Sequence, residues 1–408
     1  ATEEWFMGDH DGIPATPDNH IKLAEVEVDD DAVTIVNADI TSTRVQSKID
    51  FDFLPKATGV EINTGTEDAK IVTPKAIQDS YLANGYNSIS RQALINGNFD
   101  VWQRGTSVAM TAADAYTADR WYCETATAGT NKTVSREDGT SVEGSYYCAR
   151  VKMVSDVDEL LTFSQALESQ DSIKFRGKKL TLSFYARGGA EFVADNATLV
   201  SKIVTGKGTD QKVLAFTTSA DAVSQNNTLT TSWVKFACTT TNVIASDITQ
   251  IGISFSFTHA GSGTTTNYFE VTQIQLCAGD VALPFMPKSY EEELRACQRY
   301  AIDLCGGGTV AYIPIANVFA ESTTRGAGII QLPQQMRIVP SLESLTASNF
   351  SIGYPGTTAC TSVALDTTAN TKKAVRMVAQ VASGLTQSFL YTLHRLTTSG
   401  VLILSAEL

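Results

Sequence analysis

The amino-acid sequence predicts a mainly β protein whose central part is an antiparallel β-sandwich. Two stretches place large apolar side chains at every second position, with polar residues between most of them. These apolar positions are Leu180, Leu182 and Phe184 within residues 178–187, and Ile251, Ile253, Phe255 and Phe257 within residues 250–259. Loops rich in Gly, Ser, Thr and Asn separate such stretches. Strands with one apolar face, divided by turn residues, are typical of two packed antiparallel sheets.

The N-terminal third contains shorter elements. Residues 21–28 and 33–40 are predicted as two strands joined by an acidic turn. Thr73 suits a helix N-cap and Pro74 the first helical position, so a helix is predicted over 74–84. Asn96-Gly97-Asn98 is predicted to be a turn, because Gly97 tolerates a positive φ and Asn side chains form hydrogen bonds with their own backbone. Further strands are predicted over 145–153, 178–187, 232–240, 250–259 and 268–276.

A helix and a second β region follow. Ser289 and Glu292 form a capping-box pattern, and a helix is predicted over 289–305. Its apolar positions at helical spacing are Tyr290, Leu294, Cys297, Ala301 and Leu304. The last hundred residues are predicted to be β and to close on a hairpin with strands at 387–396 and 401–408. The predicted segments are 1–63 (extended N-terminal segment), 64–87 (linker with a short helix), 88–288 (sandwich), 289–305 (helical connector) and 306–408 (C-terminal β domain).

Charge restricts the partners. The 408 residues carry a net charge of −13, and residues 1–60 contribute −9 of it, from 13 acidic and 4 basic side chains. A nucleic-acid interface needs a basic face to displace counterions, and the sequence has no basic cluster. An anionic membrane surface would repel the chain. We therefore expect neither nucleic acid nor membrane as a partner.

Cysteine usage and hydropathy indicate where the chain is made. Its seven Cys include no C-x-x-C pair, so neither a disulfide framework nor a zinc site is predicted. Most are expected to be buried apolar residues in a chain made in a reducing compartment. The first residues lack the pattern of a secretory signal peptide, and no apolar run reaches the length of a membrane span.

No catalytic pattern is present, and we expect the protein not to be an enzyme. The four His residues stand outside any H-E-x-x-H context, and Gly-x-Ser-x-Gly does not occur. We predict no catalytic, cofactor-binding or metal-binding residue and no cofactor. A metal site is conceivable at Asp9, His10, Asp11, Asp18 and His20, but a solvated polar arm is the favoured interpretation. If the sandwich binds sugar, exposed aromatic residues would do it, and the candidates are Tyr146, Tyr147, Tyr185 and Tyr268.

Several motifs resemble one family. "LINGNFDVWQRGTS" (94–107) followed by "YTADRW" (116–121) resembles the carbohydrate-binding-module-like jelly roll of tail fibres and other virion proteins of tailed bacteriophages. "FEVTQIQLCAGDVALPFMPKSYEEELRACQRY" (269–300) is similar to the module's last strand and the helix behind it. Residues 23–44 resemble an attachment segment, 65–77 a fibre-stem linker, and 331–342 with the final "SAEL" a tip domain. The family often has Glu-Gly where this chain has Cys277-Ala278.

The resemblance implies roles for the motif residues. Residues 94–107 are expected to form the first strand of the sandwich. Trp102 and Trp121 are interpreted as core residues in preference to sugar platforms. Arg104 and Arg120 are expected to pair with buried carboxylates, for which Asp100 and Asp119 are the candidates. Related jelly rolls often hold a structural calcium ion, for which Asp100 and Glu270 are the places to look.

The resemblance also implies a function. The protein is expected to be a tail fibre-type structural component of a phage virion, made in the host cytoplasm. Its N-terminus would attach to other tail or baseplate proteins, and its β domains would contact host cell-surface polysaccharide. The resemblance implies a homotrimer, to which the apolar stripe of 289–305 gives local support. The alternatives are a bacterial carbohydrate-binding module, an accessory module of a secreted enzyme, or a virion protein with no receptor role.

Overall fold

A computed structural model gives the fold and confirms the predicted class. It describes residues 24–26, 40–42, 56–64, 70–74, 76, 89–154, 159–195, 197–258, 265–306, 310–343, 345–353 and 358–408. The metal candidates at Asp9–His20 and most of the helix predicted over 74–84 lie outside these residues. Of that helix, Pro74 and Ala76 are helical, and the Thr73 hydroxyl accepts a hydrogen bond from the Ala76 amide at 3.1 Å.

The strands in chain order are β1 (Ala24–Val26), β2 (Ile40–Ser42), β3 (Ser107–Met110), β4 (Asp114–Tyr116), β5 (Tyr122–Thr125), β6 (Gly129–Asp138), β7 (Tyr147–Met153), β8 (Leu160–Ala166), β9 (Leu180–Gly188), β10 (Thr198–Lys207), β11 (Thr217–Thr228), β12 (Val234–Thr239), β13 (Gln250–Thr258), β14 (Tyr268–Ala278), β15 (Ala301–Asp303), β16 (Ile313–Ala320), β17 (Arg325–Gln331), β18 (Ser341–Leu342), β19 (Phe350–Gly353), β20 (Thr358–Leu365), β21 (Ala374–Val381), β22 (Leu390–Arg395) and β23 (Ile403–Ser405). The helices are α1 (Gly59–Thr64), α2 (Ser169–Ser172), α3 (Ala190–Asp195) and α4 (Tyr290–Gln298). Within the described chain, no helix has the length and apolar character needed to cross a bilayer.

Two six-stranded antiparallel sheets form the central jelly-roll sandwich. Their strand orders are β11-β10-β13-β8-β5-β4 and β12-β9-β14-β7-β6-β3. The predicted apolar face of β9 is confirmed: Leu180, Leu182 and Phe184 are fully buried between the two sheets. Removing such a side chain from water stabilises the fold by roughly 1.5–3 kcal/mol. Trp121 stacks on Phe163 in the same core, with ring centroids 4.9 Å apart.

The C-terminal β region contains a closed barrel and a small sheet. The barrel strands follow the order β16-β17-β21-β20-β19-β22, and β15-β23-β18 form a three-stranded sheet beside it. Buried side chains of Val318, Phe350, Met377 and Leu393 fill the barrel core. All seven cysteines are free thiols and buried, as expected for small apolar residues. The division of the chain into five segments remains a prediction.

The helix predicted over 289–305 is shorter than expected. The capping box is confirmed: the Ser289 hydroxyl accepts from the Glu292 amide, and the Glu292 carboxylate accepts from the Ser289 amide. However, α4 ends at Gln298, and Ala301–Asp303 forms strand β15 against β23. Pairing with a distant strand overrides the local helical spacing here. Ala301 and Leu304 therefore lie beyond the helix, and the expected apolar stripe is not continuous.

Two other strand predictions are wrong. The predicted C-terminal hairpin does not form, because β22 pairs with β16 and β19 while β23 pairs with β15 and β18. Each of the two strands finds partners distant in sequence. Residues 94–106 contain turns and no strand, and the first strand of the sandwich is β3. Instead of pairing with a neighbouring strand, the backbone of this segment forms hydrogen bonds with side chains of the same segment. Asn96 Nδ2, for instance, donates to the Val101 carbonyl at 2.8 Å.

Candidate functional site

One surface of the sandwich combines aromatic and charged side chains. It is the solvent side of the sheet that contains β9, β14, β7 and β12, formed by residues that alternate with the buried core positions. We call this surface the outer face. Its members are Arg150 and Lys152 on β7, Tyr185 and Arg187 on β9, Lys235 on β12, Tyr268 and Glu270 on β14, and Trp233 just before β12.

Strand pairing fixes the arrangement of these side chains. Glu270 lies opposite Arg187 on one side and Arg150 on the other, so three charged residues form a row across three strands. Lys235 lies opposite Tyr185 to one side of this row, and Tyr268 lies opposite Lys152 to the other side. Since neighbouring strands are about 4.8 Å apart, the four strands span about 14 Å. The charged row is thus flanked by one tyrosine on each side.

Glu270 is the anchor of the charged row. It is fully buried, and its Oε1 accepts from Arg150 Nε at 2.8 Å and from a terminal nitrogen of Arg150 at 2.5 Å. Its Oε2 accepts from Arg187 Nε. Burial lowers the pKa of Arg150, but the charge of Glu270 and its hydrogen bonds outweigh this, and the pKa is raised overall. The single carboxylate of Glu270 thus lies between two guanidiniums.

Cations hold the aromatic rings of the outer face. The Arg150 guanidinium lies 4.1 Å from the centre of the Tyr268 ring, and that of Arg187 lies 4.8 Å from the Trp233 ring. Such contacts are worth about 0.5–1 kcal/mol at exposed sites. Lys235 Nζ lies 6.0 Å from the centre of the Tyr185 ring, and all three rings are half-buried, so each has a cation beside it and is still partly open to solvent. Partly exposed rings suit stacking against the apolar face of a sugar.

The structure separates the four predicted tyrosines. Tyr185 and Tyr268 come together on the outer face. Tyr147 has the parity of the inward-facing residues of β7 and lies 4.1 Å from the Arg136 guanidinium. Tyr146 precedes β7 and is 64% exposed, with its ring edge-on to Tyr147. Of the other members of the outer face, sequence reasoning singled out Glu270, as a place to look for calcium, and missed the rest. They occupy the polar parity of predicted strands, but only the strand pairing brings them together.

The calcium ligands suggested by the resemblance have other partners. Glu270 is bound by Arg150 and Arg187, as described. Asp100 accepts a bond from the Asn98 amide at 3.4 Å, and burial raises the pKa of its carboxyl. No group of three or more His, Cys, Asp or Glu side chains suited to a metal ion occurs in the described part of the chain.

The two tryptophans of the motif are core residues, as predicted. Trp121 is fully buried and donates from Nε1 to the Asn96 carbonyl at 3.0 Å. Trp102 is 9% exposed and donates from Nε1 to the Phe99 carbonyl at 2.8 Å. Each indole therefore satisfies its one polar group with backbone of the motif. Neither ring presents a platform to a ligand.

Gly97 is needed for a different reason from the one expected. The positive φ angles fall on Asn96 and Phe99, at 57° and 58°. At Gly97 itself, a Cβ atom would stand 2.2 Å from the Ile274 carbonyl oxygen. The Gly97 carbonyl in turn accepts from the Ile274 amide at 2.9 Å. Glycine is therefore required for close approach of the motif to β14, and not for a left-handed turn.

The motif arginines pair with carboxylates of the C-terminal region, and the partners predicted for them are wrong. Arg104 donates to Glu343 at 2.7 and 3.0 Å and lies 3.4 Å from Glu407. Arg120 pairs with the other oxygen of Glu407 and lies 3.7 Å from the Tyr300 ring. Glu407 is distant in sequence, so local reasoning did not find it.

Asp119 has a separate role beside this junction. Its two oxygens accept from the backbone and side-chain amides of Gln103, and Gln103 also donates to the Ala301 carbonyl at 2.7 Å. Burial raises the pKa of Asp119 to about 6, against a lowering by Arg104. The "WQRG" and "DRW" residues thus join the sandwich to the C-terminal region.

Comparison with known proteins gives limited similarity. No family model matches the chain, and no curated protein does. Among solved structures, the enzymatically active domain of bacteriophage CBA120 tailspike protein 4 is similar at 11% identity and a TM-score of 0.30, over 46% of this chain and 21% of that chain. TmCBM61 in complex with β-1,4-galactotriose is similar at 13% identity and a TM-score of 0.28, over 46% of this chain and 99% of that chain. The CBM22-2 xylan-binding domain of Paenibacillus barcinonensis Xyn10C is similar at 15% identity and a TM-score of 0.25, over 42% of this chain and 98% of that chain.

Proposed function

We propose that the protein binds polysaccharide through the outer face of its sandwich. The observation that carries this proposal is the pair of partly exposed tyrosines, Tyr185 and Tyr268, on either side of the row Arg187–Glu270–Arg150. Aromatic rings supply stacking surfaces, and the guanidiniums and Lys235 supply hydrogen-bond donors for hydroxyl groups. Both kinds of contact are provided by strands of one sheet, so the binding groups are held rigidly.

We further propose that the chain is a tail fibre-type component of a phage virion. The support is the sequence resemblance at 94–107, 116–121 and 269–300. The acidic excess of residues 1–60 favours attachment to a basic surface of another virion protein. The proposed location is the virion, and the proposed ligand is polysaccharide of the host surface. Assembly as a homotrimer rests on the resemblance alone, since α4 ends before Ala301.

We do not propose an enzymatic activity. Hydrolysis of a glycosidic bond needs two carboxylates on either side of the bond. On the outer face, Glu270 is buried beneath two arginines and is unsuited to act as an acid or a nucleophile. The role proposed for the face is binding.

The binding proposal is tested by a glycan array probed with the full chain. Tyr185→Ala and Tyr268→Ala should each weaken binding by about tenfold, which corresponds to a loss of about 1.4 kcal/mol. The matched control is Tyr290→Ala, because Tyr290 is 60% exposed on α4, outside the outer face. Retention of full binding by both outer-face variants would refute the assignment of the site.

The virion proposal has its own test. Antibody against the protein should label phage particles in electron micrographs, and a chain lacking residues 1–60 should fold without joining particles. Unlabelled particles, together with retained glycan binding, would favour a bacterial carbohydrate-binding module. Labelled particles with no glycan binding would favour a virion protein with no receptor role.

A further inference from the structure

We propose that the outer face selects saccharides that carry a carboxylate, and that Arg187 binds this group. The inference rests on the proposed function and adds the chemical class of the ligand. It starts from a local excess of positive charge. Four cations share the face, namely Arg150, Arg187, Lys152 and Lys235, although the whole chain has a net charge of −13. The carboxylates that face them are Glu270, Glu137 and, near Arg187, Asp138.

Arg187 has unused hydrogen-bonding capacity. Its Nε donates to Glu270, which fixes the plane of the guanidinium. Within the described residues, its two terminal nitrogens have no hydrogen-bond partner, and 28% of the side chain is exposed. Two parallel N–H groups in one plane are the arrangement that binds a carboxylate through both oxygens. Arg150 differs, because it uses Nε and one terminal nitrogen on Glu270 and places the other 3.4 Å from Glu137.

The position of Arg187 suits an acidic sugar. Tyr185 lies two residues before it on the same side of β9, so the two side chains start about 7 Å apart. If a pyranose ring stacks on Tyr185, a carboxylate on that ring would lie near the two terminal nitrogens of Arg187. Glu270 keeps Arg187 in place without reaching the ligand, because it is fully buried. A neutral sugar would leave the terminal nitrogens of Arg187 to water.

Uronic and sialic acids both supply such a carboxylate, whereas sulfated and phosphorylated saccharides supply a different anion. The experiment therefore uses the full chain in affinity electrophoresis against polygalacturonate, alginate, polysialic acid, dextran sulfate, phosphorylated dextran and neutral dextran. For each carboxylated polymer, a carboxyl-reduced derivative with the same backbone serves as its neutral partner. The wild-type protein alone can decide the question, so no variant needs to fold for the test to count.

We expect a carboxylated polymer to be retained and its reduced derivative to bind at least about tenfold more weakly, as for a charge-assisted bidentate contact. Arg187→Gln should cause the same loss on the carboxylated polymer and no further loss on the reduced one. Lys202→Gln is the control, since Lys202 lies on the opposite sheet and its replacement also removes one positive charge. Retention should also fall with added salt.

The outcomes separate the two proposals. Equal binding of a polymer and its reduced derivative, or full binding by Arg187→Gln, would overturn the carboxylate assignment and leave glycan binding intact. Preference for dextran sulfate or phosphorylated dextran would also overturn it. Retention of no polymer would overturn both the carboxylate inference and the proposed function.

Discussion

Glu407 should be the most sensitive acidic residue of the junction between sandwich and C-terminal region. Its side chain is 4% exposed and contacts both Arg104 and Arg120, whose side chains are 7% and 2% exposed. Replacing Glu407 by Gln keeps the shape and removes the charge. Among the described residues, the other partners of Arg120 are the Ala166 carbonyl and the Tyr300 ring, so its positive charge then has no carboxylate beside it.

The magnitude follows from the burial. Removing one partner of a buried ion pair costs about 3–5 kcal/mol, because the remaining charge is left uncompensated. We expect the lower end, about 3 kcal/mol, because Arg104 retains Glu343. A loss of this size corresponds to a fall in Tm of about 6–12 °C for a unit of 150–250 residues.

The assay is thermal unfolding of the full chain, followed by circular dichroism. Glu343→Gln is the matched control, since Glu343 also binds Arg104 but is 34% exposed. That control should lose about 1 kcal/mol, because solvent at the partly exposed Glu343 carboxylate screens its interaction with Arg104. If Glu407→Gln destabilises the protein no more than Glu343→Gln, then the buried arginines do not depend on Glu407 and the reasoning is refuted.

Three further predictions concern the motif. Trp102→Ala should cost about 3–5 kcal/mol, measured by denaturant unfolding of the full chain, and an unchanged midpoint would show that the indole is not core. Gly97→Ala should destabilise the chain more than Gly177→Ala does, because a Cβ at Gly97 would stand 2.2 Å from the Ile274 carbonyl oxygen, whereas a Cβ at Gly177 would meet no atom within 4 Å and add only the strain of a left-handed φ of 75°; equal midpoints would contradict this. Asp119 has its pKa raised to about 6 from an ordinary 3.8, so the folded state binds a proton that the unfolded chain has released. The free energy of unfolding should therefore decrease as the pH rises from about 4 to about 6, and Asp119→Asn should remove this pH dependence. If the free energy of unfolding of Asp119→Asn depends on pH in the same way as that of the wild type, the raised pKa of the buried Asp119 carboxyl is refuted.

Local patterns predicted the strands but not all their partners. Alternation located β9, β13 and β14 to within a few residues, because one face of each strand must be apolar wherever it packs on a core. The end of α4 and the path of β23 were missed. Both depend on pairing between Ala301–Asp303 and Ile403–Ser405, about a hundred residues apart. Nothing in the local spacing distinguishes a helix from a strand there.

The candidate site shows the same limit. Tyr185 is an aromatic candidate because its parity opposes that of the core residues of the same strand, and Tyr268 is a candidate only as one of three further tyrosines. The arginines on either side of Glu270 were not identified, since strand order and pairing decide which charges meet. For the same reason Arg104 and Arg120 were assigned to nearby carboxylates, whereas the folded chain brings Glu407 to them. Residue types were thus predictable, and long-range partners were not.

The most direct test of the central claim is hydroxyl-radical footprinting of the full chain with and without a bound polysaccharide. The account predicts that ligand protects Tyr185, Tyr268 and Trp233 from oxidation. Tyr290 on α4 and Tyr312 before β16, each 60% exposed, should be oxidised equally in both states. Protection confined to Tyr290, Tyr312 or other residues outside the outer face, with Tyr185 and Tyr268 unchanged, would contradict the account.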